Sequence, residues 1–219
     1  MKILVFGGGS DIAKEIQSRE KDSILIDHNT CDISKPELVD FFIRTHKPEV
    51  VINCAGILKL GLINEQGFTD WEDQITTNLL GSFNVAQASA GNNVKTIILI
   101  GSVAGLYGKA KYSAYSASKA GVISLVQSLG MEGINAYCIS PGGVDTKMRE
   151  KYYPGENRRA RLSTKDVVKV MFDCINGKYK PGDNVIIRKR GGRKITIADR
   201  GQPWKEYLKV QPFGTPKRI

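Results

Sequence analysis

The chain alternates short apolar runs with amphipathic stretches from its first residues, and this alternation constrains the fold more than any other feature. Apolar runs at 2–6, 23–27, 49–53, 95–101, 134–139 and 184–188 read as buried strands, and stretches of helical periodicity at 11–20, 35–46, 71–90, 113–130 and 164–176 read as helices between them. Parallel strands need a crossover long enough to carry a helix, so the order β-α-β predicts a parallel sheet. The expectation is one α/β domain, a doubly wound parallel sheet with helices on both faces. Pro36 suits the first turn of its helix after Ser34 as cap; Thr164 starts the last helix and Gly177 ends it.

A chain of 219 residues can bury the core of such a domain. No apolar run approaches the length of a membrane span, and the strand-like start at Lys2–Phe6 argues against a signal peptide. Cys31, Cys54, Cys138 and Cys174 are scattered without metal-ligand spacing, so they read as buried free thiols in a reducing, cytoplasmic setting, with no metal site. The charge is uneven: residues 1–150 carry 14 Lys and Arg against 16 Asp and Glu, and residues 151–219 carry 18 against 6. A basic end could attract nucleic acid or an anionic membrane, but no recognition module accompanies it, and a solvated surface is the simpler reading.

Three features carry chemistry. Tyr115 and Lys119, four apart in a helical stretch, share a face, and an ammonium beside a phenol favours its ionised form. Ser102, at the end of the run 96–100, could hold the substrate oxygen that such a pair protonates. The turn Gly7-Gly8-Gly9-Ser10-Asp11-Ile12 joins the first strand to the first helix, where free backbone amides attract a pyrophosphate.

Ser102 with Tyr115-x-x-x-Lys119, together with Gly7–Ala13, Asn53-Cys54-Ala55-Gly56, Asn78 and Pro141-Gly142-Gly143-Val144-Asp145-Thr146 in that order, resembles the short-chain dehydrogenase/reductases. The resemblance covers residues 1–190 and implies a Rossmann-type NAD(P)-binding and catalytic domain there. The tail 191–219, with Trp204, Tyr207, Leu208, Val210 and Phe213, is then expected to pack on the domain or on a neighbouring subunit. Only four residues separate Asp27 from Asp32, where the family usually has a helix and a further strand, so the sheet edge after strand 2 is shortened.

By the same resemblance Asn78, Ser102, Tyr115 and Lys119 are the catalytic set. Gly7, Gly9, Ser10, Asp11 and Ile12 take the cofactor phosphates; Asp27 takes the adenosine ribose and Asp32 and Ile33 the adenine; Asn53, Ala55 and Gly56 leave room for the ribose. Pro141, Gly142, Val144 and Thr146 face the nicotinamide, and Tyr115 and Lys119 also touch the cofactor. Ser102, Tyr115, Met148 and Tyr152 line the substrate, and Arg158, Arg159 and Arg161 either grip an anion or are simply exposed on a lid. The family's glycine pattern is broken by Asp11 and Ala13; a carboxylate at 11 repels a pyrophosphate unless it turns away or caps the helix.

Asp27 followed by His28, with no neighbouring Arg, favours NAD(H) over NADP(H). The resemblance implies an oxidoreductase interconverting a secondary alcohol and a carbonyl of a small or medium metabolite. It also implies a homodimer or homotetramer paired through the helices at 71–90 and 113–130. Residues 32–56 also resemble nucleotide-sugar reductases of the wider superfamily, which leaves a nucleotide-sugar reductase or epimerase as a competing reading. Asp11 and Ala13 leave a third, a non-catalytic dinucleotide-sensing or scaffold protein.

Overall fold

A computed structural model describes residues 1–190 and 193–199. Seven strands form one sheet in the order β2-β1-β3-β4-β5-β6-β7. They are β1 (Ile3–Phe6), β2 (Ile24–Ile26), β3 (Val50–Asn53), β4 (Thr96–Ile100), β5 (Ala136–Pro141), β6 (Asn184–Arg190) and β7 (Arg193–Asp199). All neighbouring pairs are parallel except β6 with β7. The helices are α1 (Asp11–Arg19), α2 (Pro36–His46), α3 (Phe68–Ile75), α4 (Gly81–Gly91), α5 (Ser113–Met131), α6 (Lys147–Tyr152) and α7 (Thr164–Ile175).

Side-chain alternation along β1 explains the layering. Leu4 and Phe6 point to one face, where Val39 and Ile43 of α2, Val85 of α4 and Val122 and Val126 of α5 cover them. Ile3 and Val5 point to the other, against Ala13 and Ile16 of α1 and Val167, Val168 and Met171 of α7. Each of these side chains is about fully buried, and each such burial stabilises the fold by about 1.5–3 kcal/mol for a Val, Leu, Ile, Met or Phe. β1 pairs with β2 on one side and β3 on the other, so the chain direction of the winding reverses beside β1. Open α/β sheets bind ligands at that switch point, beyond the carboxyl ends of the strands.

The shortened edge is as expected: β2 has three residues and is the outermost strand, and the chain passes from it to α2 with no further strand. Several expectations need correction. The sheet does not stop at residue 190, because β7 folds back on β6 in antiparallel register, Ile186 opposite Ile197 and Val185 opposite Ala198. The tail aromatics from Trp204 onward lie outside the described residues. Ser34 does not cap α2; Lys35 occupies that position without a side-chain bond, and the Ser34 amide instead donates to Asp32 Oδ1 at 2.9 Å. The last helix does start at Thr164 as expected, and Ser163 before it is the cap, through a reciprocal pair with Asp166. The helix expected at 71–90 begins at Phe68 and is interrupted by a π-helical turn over Thr76–Leu80. No helix among the described residues is long and apolar enough to cross a membrane, and no group of His, Cys, Asp or Glu among them could hold a metal ion.

Candidate active site

A cavity of about 880 Å³ opens beyond the carboxyl ends of β1, β3, β4 and β5. Its floor is the turn after β1. Gly7 has φ +75°, and a Cβ there would lie 2.3 Å from the Ala55 nitrogen, so only glycine allows this approach to the β3 turn. Gly9 has open space where a Cβ would stand. The Ser10 hydroxyl accepts from the Ala13 amide and starts α1. Ala13 itself is fully buried in the core, where the family's third glycine would be.

One wall carries the candidate catalytic side chains. Ser102, Tyr115 and Lys119 all line the cavity. Tyr115 is half-buried on the first turn of α5. Lys119 is 3% exposed, and its Nζ donates to the Ile100 carbonyl at 2.7 Å while lying 5.7 Å from the Tyr115 ring centre. Burial pushes the ammonium down to about 8. The phenol is not held low by this ammonium, as the spacing suggests: burial pushes Tyr115 up, against the Ser102 hydrogen bond and the Arg149 charge. The Lys119 ammonium is instead bonded to the Ile100 carbonyl.

Asn78 is fully buried in the π-helical turn and does not line the cavity. Its Oδ1 accepts from the Ile57 amide at 2.8 Å, and its Nδ2 donates to the Ile57 carbonyl at 3.0 Å and to Ser118 Oγ at 3.2 Å. A Cβ on Gly56 would lie 3.2 Å from Asn78 Oδ1 and 3.5 Å from Lys119 Nζ, so Asn78 and Lys119 flank the same glycine.

The expected cofactor residues divide. Gly7, Gly9, Ser10, Asp11, Ile12, Ile33, Ala55, Gly56, Pro141, Gly142, Val144 and Thr146 line the cavity. Asp27, Asp32 and Asn53 do not; His28 and Cys31 line it beside Ile33 instead. Asp27 is exposed, and its Oδ1 accepts from both the amide and the hydroxyl of Thr30 at 2.9 Å, which holds the carboxyl below its ordinary range. Asn53 is structural: its Oδ1 accepts from the Ala55 amide and its Nδ2 donates to Ser82. Open space over Gly9 and the start of α1 on the cavity floor fit a dinucleotide phosphate.

A family model described as short chain dehydrogenase matches residues 3–157. The chain belongs to that family. Among curated short-chain dehydrogenase relatives, the human (3R)-3-hydroxyacyl-CoA dehydrogenase is 39% identical over 113 residues, 48% of this chain and 43% of that protein. The 3-oxoacyl-[acyl-carrier-protein] reductase FabG of Chlamydia trachomatis is 31% identical over 142 residues, 61% of this chain and 57% of that protein. The chain thus spans about half the length of these relatives. Among solved structures, a small-chain dehydrogenase in complex with NADPH superposes with TM-score 0.76 at 20% identity, over 86% of this chain and 96% of that one. ElxO with NADP bound gives 0.72 at 22%, over 84% and 96%.

Residues 145–162 form a roof over the cavity of this short-chain dehydrogenase. Met148 and Tyr152 line the cavity as expected, and so do Arg149 and Tyr153. The three arginines point elsewhere than the cavity. Arg161 is 1% exposed and binds Asp145, Glu150 and Glu156; Arg158 pairs with Asp145; neither they nor Arg159 line the cavity. Side chains tie the roof to the body, among them Lys189, whose Nζ donates to the Arg159 carbonyl at 3.2 Å. Tyr152 Oη donates to the Leu58 carbonyl, Tyr153 meets Tyr112 and Lys109, and Asp11 Oδ2 accepts from the Lys147 amide at 2.7 Å. Asp11 therefore neither caps α1 nor stands idle; it turns from the glycine turn to the start of α6. In Asp11→Ala the Lys147 amide should exchange with solvent about tenfold faster, while Asp11→Asn, which keeps an acceptor oxygen, retains the protection. Equal exchange in all three proteins would show that the bond does not hold the roof.

Lys109 and Tyr112 are missed by the motif reading. The one available signal is that Tyr112 and Tyr115 stand three apart at the start of α5, on one face.

Proposed function

We propose that this protein is an NAD(H)-dependent oxidoreductase that interconverts a secondary alcohol and a carbonyl of a small or medium metabolite. The observation that carries the reading is the convergence of Ser102, Tyr115 and Lys119 on one cavity with the glycine turn as its floor. The dinucleotide supplies or takes the hydride when bound. The chain supplies position and a proton. Tyr115 Oη gives the proton to the substrate oxygen in the reductive direction, and Ser102 Oγ donates a hydrogen bond to that oxygen as charge grows on it. Because burial raises Tyr115, the phenol is protonated at neutral pH and stands ready as the acid. Lys119 holds a cofactor ribose, and Asn78, beside Lys119 at Gly56, holds the proton path behind it.

Asp27 supports NAD(H). Its exposed carboxylate follows β2 directly, next to the cavity-lining His28, and with both bonds from Thr30 on Oδ1 it would repel a 2′-phosphate placed there. Leu80 and Phe83 are 49% and 43% exposed on the helix expected to pair subunits, which supports a homo-oligomer. The four free thiols suit a cytoplasmic location. The test is calorimetric titration with NADH and with NADPH. NADH is expected to bind at least about tenfold more tightly, with the gap narrowing in Asp27→Asn. Equal or tighter NADPH binding would remove Asp27 as selector, and binding of neither would bring the scaffold reading forward.

A further inference from the structure

The charge lining the cavity is lopsided. Lys109, Lys119, Lys147, Arg149, Arg188 and Lys189 line it, and Asp11 is the one carboxylate among the lining residues. That carboxylate is already bonded to the Lys147 amide. Arg149 is neutralised by a bidentate pair with Glu156, and Lys119 is bonded to Ile100. Lys109 has no carboxylate partner among the described residues, and although the residue is exposed its ammonium folds back onto two tyrosines. Its Nζ donates to Tyr153 Oη at 2.8 Å and lies 4.3 Å and 4.9 Å from the ring centres of Tyr112 and Tyr153.

We propose that the substrate carries an anionic group, a carboxylate or a phosphate, and that Lys109 and Tyr153 bind it. The proposal rests on the oxidoreductase reading and names the substrate class that reading leaves open. The hydroxyls of Tyr112, which is 5% exposed, and Tyr153 share a hydrogen bond, and Tyr153 Oη also accepts from Lys109; we take Tyr112 as the donor of the shared bond. The Tyr153 proton is then left to donate outward, beside the ammonium. The electrostatics agree. Burial raises both phenols, but the hydrogen bonds from Lys109 and Tyr112 bring Tyr153 below its ordinary value, while its partner Tyr112 stays high. A paired ammonium and hydroxyl, held in place before the ligand arrives, lose little freedom on binding an oxyanion. The site is also within reach of the chemistry. The Tyr112 ring is in edge contact with the Tyr115 ring, centres 5.8 Å apart, so a short carbon skeleton spans from one to the other.

The test uses three aldehydes of one shape: 4-carboxybenzaldehyde, 4-formylphenyl phosphate and methyl 4-formylbenzoate. Binding is read by calorimetry on the protein alone and on the protein loaded with NADH. Failure to bind NADH is thereby seen separately and counts against the oxidoreductase reading, not against the anion site. At least one charged aldehyde should bind about tenfold more tightly than the neutral ester, and which one does so tells carboxylate from phosphate. The advantage should vanish in Lys109→Gln, which keeps a hydrogen-bond donor but not the charge, and fall in Tyr153→Phe. Equal affinity for all three, no binding of any, or a preference that survives in Lys109→Gln would overturn the proposal. Lys109 is exposed, so the variant is expected to fold; its melting temperature checks this.

Discussion

Tyr115→Phe is expected to lower turnover by about 10²–10⁴-fold, the usual contribution of a positioned general acid, while leaving NADH affinity within about twofold. The asymmetry follows from what the substitution removes. Phenylalanine keeps the ring that packs on Tyr112 and keeps Lys119 on the Ile100 carbonyl, so the cavity holds its shape. Only the hydroxyl is lost, and with it the hydrogen bond to Ser102. Steady-state oxidation of NADH with a reducible aldehyde, together with calorimetric NADH binding, separates the two effects. Normal turnover would mean that another group delivers the proton. A parallel fall in NADH affinity would mean that the phenol acts on the cofactor rather than on the substrate.

Arg161→Met should loosen the roof, because it removes the one cation that three carboxylates share. Arg161 is the largest fully buried side chain of the protein among the described residues. Its guanidinium meets Asp145 at 3.2 Å, Glu150 at 2.6 Å and Glu156 at 3.0 Å, and it donates to the carbonyls of Tyr153 and Glu156. Methionine fills part of the volume but takes the shared cation from Glu150 and leaves Asp145 and Glu156 with Arg158 and Arg149 alone. All these partners lie between residues 145 and 156, so the damage should stay in the roof. Limited proteolysis is expected to cut within 147–162 at least tenfold faster, with the melting temperature of the sheet domain lowered by much less. Unchanged proteolysis would mean that the ties to Leu58, Tyr112 and Asp11 suffice without the buried cation.

Most of the sheet is legible in the sequence because its strands are short unbroken apolar runs, and such runs belong to strands covered on both faces. β7 escapes that rule. It is an antiparallel edge strand in which Ile195 and Ile197 alternate with Thr196 and charged neighbours, so it reads as a basic tail. The motif residues come together in one cavity because glycine turns and strand ends are fixed by local backbone geometry. Side-chain commitments are not legible in the same way. The four-residue spacing of Tyr115 and Lys119 places them on one face but does not reveal the Ile100 carbonyl. Arginine is rarely buried, so three arginines in four positions read as exposed, and the sequence has no mark to single out Arg161 as the one that acids enclose. Asp11 is the opposite case: its misfit in the glycine pattern is visible, but its partner lies 136 residues away.

The π-helical turn at Thr76–Leu80 also has a consequence for how this helix accommodates insertion and deletion. An α-helix advances about 100° per residue. A π turn holds one residue more than an α turn, so the segments before and after Asn78 are out of phase with each other by one such step. Trp71 and Gln74 on one side, and Val85 and Ala86 on the other, therefore do not follow one apolar stripe, although the axis runs on from α3 to α4. The extra residue is a local change of frame. It lets Asn78 face Ile57 and Ser118 while the α4 segment still presents Val85 and Ser89 to the core. Among relatives, a single-residue gap at this point would not be a neutral trimming of a helix. It would put the two halves back in one frame and carry the amide of residue 78 out of the place where it braces the β3 turn.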